Sequence, residues 1–467
     1  MKMWAGRFQQ SLDPEFENWQ RSFAFDRRLL GHELAASRAH ARALESAGVL
    51  AADELKAILR GLDQIGQQAA ASSEFGADSQ AEDVHHFVES QLVGLIGETG
   101  FKLHSGRSRN EQIAADLRLY VREAIDQLRS ELAELCDVFL ERAERSGTSA
   151  MPAYTHLQCA EPVLVAHWLL AYVEMFFRDS ERLAEVRQRT NLSPLGSGAV
   201  AGATLALERD AMAEDLACHG ITANSIDATS DRDFVVEFVN ALALLALHLS
   251  RWAEEMILFS SAEFGFVDLP EAYSTGSSAM PQKKNPDLAE LVRAKSARVI
   301  GQATALLVTL KALPLAYHKD LQETQEPLYA AWETVRALLP LVRGWMQAAE
   351  FDSAHMRERA QSGFMNAWAA ATYLVKRGLP SRLAHEVVGR AVQLCLKSNC
   401  ELKDLSLDQL HRLSPVFAED FYQGLGLDAV LALHDVPGGT APARVRQALS
   451  RARQKVDSLR EKVHAHA

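Results

Sequence analysis

Cysteine is scarce in this chain. There are five among 467 residues (Cys136, Cys159, Cys218, Cys395 and Cys400), an odd number with no CxxC pair. That excludes a disulfide framework or a four-thiolate zinc site as the organising principle, and it fits a reducing, cytoplasmic compartment. An excess of positive charge is also missing: the formal net charge is −12, so a nucleic-acid or anionic-membrane partner is not expected. A few cations in a cleft would still suffice for a small anionic ligand. The N-terminus, MKMWAGRFQQ, lacks the apolar run of a signal peptide. The longest apolar stretch, Val235 to Leu249, is broken by Glu237, Asn240 and His248 and is followed by Arg251, Glu254 and Glu255. It reads as a core helix rather than a membrane span. Sustained period-two alternation is absent too, and with it any convincing sheet.

What remains is helical periodicity and enough apolar residues, 48% of the chain, for a large core. Amphipathic helices are predicted within DRRLLGHELAASRAHARALESAGVL, ADELKAILRGLDQI and QAEDVHHFVESQLVGLIG. A long helix is expected from about Gln112 to Arg145, preceded by Ser108 and Glu111 at capping-box spacing. MPAYTHLQCAEP reads as a loop, with Pro162 opening a helix to roughly Thr190. Asp231 to about Glu263 is apolar on every side, as in a helix surrounded by others within a bundle or across a subunit interface. Asn285 and Pro286 suit the N-cap and first turn of a helix that runs toward Leu313 and stops at Pro314. After about Ser362 the pattern shortens. The predicted architecture is all-α: an N-terminal helical domain (1–110), a central long-helix bundle (111–361) and a small C-terminal helical domain (362–467).

Three polar loops interrupt the helices. GSSAMPQKKNPDLAE, Gly276 to Glu290, sets small residues, Lys283, Lys284 and Asn285 before a helix N-terminus. Its dipole end and N–H groups suit a carboxylate or phosphate, and would favour the alkoxide of a nearby serine. HSGRSRNE, His104 to Glu111, places Arg107 and Arg109 at a helix start, where cations are unfavourable unless an anionic ligand or nearby acids meet them. YTHLQ, Tyr154 to Gln158, carries His156, a candidate general acid or base. Each loop alone is compatible with a solvated, well-capped connection. His85 and His86 are adjacent, lack the i, i+4 spacing of a helical metal pair, and read as packing or surface residues.

Together and in this order the loops resemble the fumarase/aspartase superfamily, through GSSAMPQKKNP, and the argininosuccinate lyase family in particular, through QKKNPD, HSGRSRNE and YTHLQ. WAGRF, LSPLGSGAVAG, SIDATSDRDFVVEF, EAYST and LPLAYHKDLQE extend the resemblance from about Trp4 to Glu323. It implies a mostly helical homotetramer whose central bundle is built from four subunits, with each active site shared among three. It implies elimination of fumarate from argininosuccinate, leaving arginine, without metal or cofactor. Carried over by position, it implies Ser277 as base, His156 as partner acid or the residue that orders it, and Glu290 as the carboxylate paired with that histidine. Lys283 and Asn285 would face the succinyl carboxylates, and Ser22, Asn110, Thr155, Tyr317, Gln322, Arg109 and Asp83 fall at substrate-binding positions. The chain departs from the pattern at Glu111, where aspartate is usual, and at Gln325, where a lysine is usual. Other lyases of the superfamily, such as adenylosuccinate lyase, and a crystallin-like structural protein on the same scaffold are the alternatives.

Overall fold

The computed structural model describes residues 10–464; the WAGRF match, Trp4 to Phe8, lies outside them. Helices dominate, and two compact units are each assembled from separated stretches of chain. The first comprises Met1–Gln127, Glu181–Ala243 and Arg298–Thr334, the second Leu128–Ser180, Leu244–Ala297 and Val335–Ala467.

In the first unit, α1 (Leu30–Ser46) and α2 (Val84–Ile96) pack with the helix Ala52–Ala71. Their inward stripes are Leu34 and Leu44, Ile58, Leu62 and Ile65, and Val84, Phe87, Val88 and Leu92, all buried. The approach is close at Gly61, where a Cβ would stand 2.5 Å from a Leu92 methyl. Alanines make the next layer: Ala36, Ala39 and Ala43 of α1 meet Ala115 and Leu119 of α3 (Arg109–Ser146), together with Leu195, Met212 and Leu216. Small side chains let the two helices run close and leave little room for error in side-chain volume.

The N-terminus of α3 follows the predicted capping box. The Ser108 N–H donates to Glu111 Oε1 at 2.9 Å, and the Asn110 N–H donates to Ser108 Oγ at 3.2 Å. The helix begins at Arg109, three residues before the expected Gln112.

In the second unit the expected loop MPAYTHLQCAEP is instead a β-hairpin, β1 (Ala150–Thr155) and β2 (Gln158–Leu164), antiparallel with Thr155 opposite Gln158. Pro162 lies in β2 opposite Pro152, and the helix α4 (Val165–Thr190) starts only afterwards. Each proline lacks a backbone donor, which a two-stranded ribbon tolerates because each strand has a free edge. Tyr154 packs on Phe264 and Phe259, with ring centroids 5.4 and 6.3 Å away, anchoring the hairpin.

Helix α5 (Asp233–Phe259) is long and apolar enough to cross a bilayer by length and composition. Its second half meets side chains of its own unit: Trp252 stacks edge-on to Trp345 at 5.2 Å, and His248 pairs with Asp179 at 2.7 Å. Leu244 and Leu247 stay exposed, an apolar stripe that suits a further helix beside it.

Two short strands, β3 (Thr275–Gly276) and β4 (Lys284–Asn285), tie the base of the serine loop before α6 (Asp287–Leu310). Asn285 does not cap α6 as expected. Its amide donates across the ribbon to Thr275 Oγ1 at 3.3 Å and to the Gly276 carbonyl at 3.4 Å. Asp287 instead anchors the loop, accepting the Thr275 hydroxyl at 2.6 Å and its N–H at 3.1 Å. Toward the C-terminus, residues 364–425 gather their own apolar cluster around Leu374, Val388, Cys395, Phe417 and Phe421.

Candidate active site

The residues singled out by sequence fall on the two units. On the second unit, His156 and Leu157 form the whole turn between β1 and β2, with φ of 54° and 56°. Two successive left-handed residues give the type I′ turn, whose twist matches that of the strands. For Leu157 the conformation is costly, yet the residue is 66% exposed. The imidazole of His156 is thus presented to solvent from a fixed point, next to the exposed Thr155.

Ser277 stands just beyond β3. Its Oγ accepts the backbone N–H groups of Ala279 at 3.3 Å and Met280 at 3.1 Å. Two donors on one hydroxyl oxygen favour the alkoxide over the neutral form. The Lys283 side chain is exposed on the same loop, while Lys284 turns away to Asp268 at 3.1 Å. Glu290 is exposed on the first turns of α6, and its N–H donates to the Pro286 carbonyl. Among the described residues, no hydrogen bond or ion pair joins His156, Ser277 and Glu290 to one another within the chain.

The first unit brings its residues into one cluster. Arg109 Nη1 lies 2.9 Å from Asp83 Oδ2 and 3.5 Å from Glu82 Oε2. Asp83 is the N-cap of α2, its Oδ1 accepting the His86 N–H at 2.8 Å. Burial acts to raise the Asp83 carboxyl, but the charges of His85 and Arg109 and the His86 N–H outweigh it and hold the group below the usual range. Ser22 donates its hydroxyl to Asp26 Oδ2 at 2.6 Å, and its N–H to the Glu82 carbonyl at 2.9 Å. Burial, with the nearby Asp83 charge, pushes Asp26 up to about 7.

Tyr317 reaches the same cluster. Burial raises its phenol, the Arg232 guanidinium opposes that rise, and Asp83, Arg109 and Glu82 act on it as near neighbours. Gln322 donates to the Gln20 carbonyl at 3.3 Å, two residues before Ser22. Asn110 donates its amide to the Ala199 carbonyl at 3.4 Å. Arg107 turns inward instead, donating to Ser37 Oγ at 2.9 Å and lying 3.8 Å from Glu33. The two arginines of HSGRSRNE are therefore divided, one facing the Asp83 cluster and one facing the core. Gln325 is buried, and its Oε1 accepts the Tyr329 hydroxyl at 3.0 Å.

Sequence reasoning missed Asp26 and Arg232. Arg232 is fully buried, with Nε and Nη2 lacking hydrogen-bond partners and its pKa lowered to about 10, chiefly by burial. A signal for Asp26 existed: it stands four residues after Ser22, one helical turn. For Arg232 there was none beyond its place in SDRDF.

Proton abstraction beside a carboxylate requires cations, amide and hydroxyl donors and a base; Ser277, Lys283, Asn285 and His156 of the second unit are groups of these kinds, and so are Ser22 and Arg109 of the first. The Lyase family pattern matches residues 6–301, and that of the argininosuccinate lyase C-terminal region matches residues 364–432. The argininosuccinate lyase of Koribacter versatilis (strain Ellin345) is 58% identical over 467 residues, covering 100% of both chains. That of Acidobacterium capsulatum is 56% identical, covering 98% of this chain and 96% of its own. In fold the chain resembles an EDDS lyase variant with bound fumarate (TM-score 0.82, 24% identity, 98% of this chain and 93% of the other). It also resembles the 3-carboxy-cis,cis-muconate lactonizing enzyme of Pseudomonas putida (TM-score 0.72, 23% identity, 95% and 100%). With identity above one half along its whole length, the chain belongs to the argininosuccinate lyase family of the fumarase/aspartase superfamily.

Proposed function

We propose that the chain catalyses the reversible elimination that cleaves argininosuccinate to arginine and fumarate, a step of arginine biosynthesis. The full-length identity of 58% to an argininosuccinate lyase carries this reading, and the chemistry of the loops supports it. Ser277 Oγ, held as an acceptor by two N–H groups, removes the proton from the carbon beside a succinyl carboxylate. The resulting negative charge spreads into that carboxylate, and Lys283 and Asn285 stabilise it. The C–N bond to the guanidinium breaks, and the leaving nitrogen takes a proton from His156, which Glu290 orients. Ser22, Asp83, Arg109, Asn110, Thr155, Tyr317 and Gln322 bind and orient the substrate.

The active enzyme is a homotetramer whose sites combine loops of three subunits, working in the cytoplasm. The exposed Leu244 and Leu247 on α5 and the absence of a direct link among His156, Ser277 and Glu290 in one chain support the shared site, and five free thiols support the compartment.

The test follows fumarate by its ultraviolet absorbance with argininosuccinate, adenylosuccinate, malate and aspartate in parallel. Fumarate from argininosuccinate alone is expected. A signal only from another substrate would overturn the assignment, and silence on all four from a folded oligomer would favour a structural role.

A further inference from the structure

Behind Arg109 lies a buried network that the proposed chemistry does not use. Its centre is His85, whose side chain is 3% exposed. Its Nε2 stands 3.1 Å from Asp116 Oδ2 and 3.7 Å from Glu33 Oε2, and its Nδ1 stands 3.8 Å from Asp83 Oδ1. One side-chain nitrogen or oxygen from each of Glu33, His85 and Asp116 falls within 4.8 Å of the other two. Glu33 Oε2, Asp116 Oδ1 and His85 Nδ1 are buried with no hydrogen-bond partner. Such a cluster is stable only if its charges balance. Glu33 and Asp116 are two carboxyl groups shut away from water, and burial with the Glu33 charge raises Asp116 to about 7 against the pull of its hydrogen bond to His85. The basic groups that face them include Arg107, 3.8 Å from Glu33, and His85 itself. A protonated His85 gives Asp116 a charge-assisted hydrogen bond at 3.1 Å, which a neutral imidazole would not.

Each surrounding element contributes. From α1 come Glu33, which accepts the Ser37 hydroxyl at 2.6 Å, and His32, whose charge acts on Asp116. From α3 come Asp116 and Gln112, the latter donating to Glu33 Oε1 at 3.1 Å. The segment before α3 supplies Arg107 and His104, the start of α2 supplies Asp83, and the chain after Ser22 supplies Asp26. Asp83 thus has a cation on either side, with Arg109 at 2.9 Å and His85 at 3.8 Å.

We propose that His85 is a positioning residue for substrate-anion binding: its buried positive charge shares Asp83 with Arg109, so that Asp83 holds the guanidinium in place without neutralising it. The proposal rests on reading Arg109 as a substrate-binding arm. Burial acts to depress the imidazole pKa, but the hydrogen bond to Asp116 and the charges of Glu33, Asp83 and Asp116 carry it up to about 9. The proton is therefore present across neutral pH. Its loss above about pH 9 removes one positive charge from beside Asp83, and affinity for an anion falls.

The experiment measures KM and kcat for argininosuccinate between about pH 6 and 10 for the full-length oligomer and four variants: His85→Gln, Asp116→Asn, the double variant and Arg109→Met. His85→Gln is expected to raise KM about tenfold with kcat nearly unchanged, and to lose the alkaline rise of KM that the parent shows. Asp116→Asn removes the strongest partner of the imidazole and moves that rise to lower pH. The double variant removes one charge of each sign and recovers part of the affinity. A His85→Gln enzyme with the parent's KM and alkaline rise would overturn the proposal, as would an Asp116→Asn enzyme whose rise does not move; the latter also serves if His85→Gln fails to fold. A purely structural role would lower the active fraction, and so apparent kcat, without moving KM. If Arg109→Met leaves KM unchanged, the reading of the binding arm fails. If it raises KM while His85→Gln does not, only the role of His85 fails.

Discussion

Asp83 and Arg109 are joined at 2.9 Å, and the carboxylate that holds the guanidinium also caps a helix. Oδ2 faces Arg109 while Oδ1 accepts the His86 N–H. The two jobs can be separated chemically. Asparagine is an equally good N-cap, so Asp83→Asn keeps α2 but removes the charge that aims Arg109. Loss of a charge-assisted bond of about 1.5–3 kcal/mol is expected, a rise in KM of roughly 10- to 100-fold. Circular dichroism should be unchanged. A parent-like KM would show that Arg109 does not need Asp83.

Ser277→Ala removes one hydroxyl from a half-buried loop position. The ribbon Thr275–Asn285 and the Asp287 anchor remain, so stability should hold. If Ser277 is the base, kcat falls by about 10²–10⁴ with KM little altered. If the proposed shared site holds, mixing this variant with His156→Ala should restore part of the activity through hybrid assemblies. No recovery after confirmed subunit exchange would mean that each chain carries a complete site.

Glu111 is a structural test. Its buried carboxylate accepts the Ser108 N–H at 2.9 Å on one oxygen, its other oxygen is buried without a hydrogen-bond partner, and burial raises its pKa. Glu111→Ala leaves the Ser108 N–H without its acceptor and opens a void. The expected loss of stability is about 2–4 kcal/mol, read from denaturant midpoints, and Glu111→Gln should lose less. Equal losses would mean that packing, not hydrogen bonding, holds the segment.

Asp26 gives a pH signature. Its carboxyl is raised to about 7 in the folded chain, so the folded state binds the proton more tightly than the unfolded one. Stability from this group therefore falls as pH rises from about 4 to about 7. Asp26→Asn can still accept the Val84 N–H and meet Ser22. It should gain stability relative to the parent at pH 8, on the order of 1–3 kcal/mol, and little at pH 4. A difference independent of pH would rule out ionisation as the cause.

Several of these features were legible in the sequence for physical reasons. Ser108 and Glu111 announce a helix start through a local rule, and α3 starts there. The long helices declare themselves by periodicity, and their ends move by only a few residues. The hairpin around His156 was hidden because Pro152 and Pro162 look like breakers and the strands do not alternate; their pairing is settled by Tyr154 on Phe264 and Phe259, a contact about a hundred residues away. Asn285 obeys the N-cap preference yet bonds across a ribbon, since pairing with Thr275 offers its amide nearer partners. His85 reads as packing or surface because its setting comes from Glu33 and Asp116, which lie on other helices. Neither local propensity nor spacing encodes that meeting.

A turn of only two residues has no slack. His156 can change its side-chain rotamer, but its backbone cannot retreat without dismantling the pairing of Thr155 with Gln158. The serine loop, closed at its base by β3 and β4 and free beyond them, has room to adjust. If His156 and Ser277 react as proposed, a scaffold with one group on a rigid post and the other on a loop tied only at its base can take on differently shaped substrates from one side only. Changes of specificity in such a protein should accumulate around Ser277 and leave the post bearing His156 as it stands.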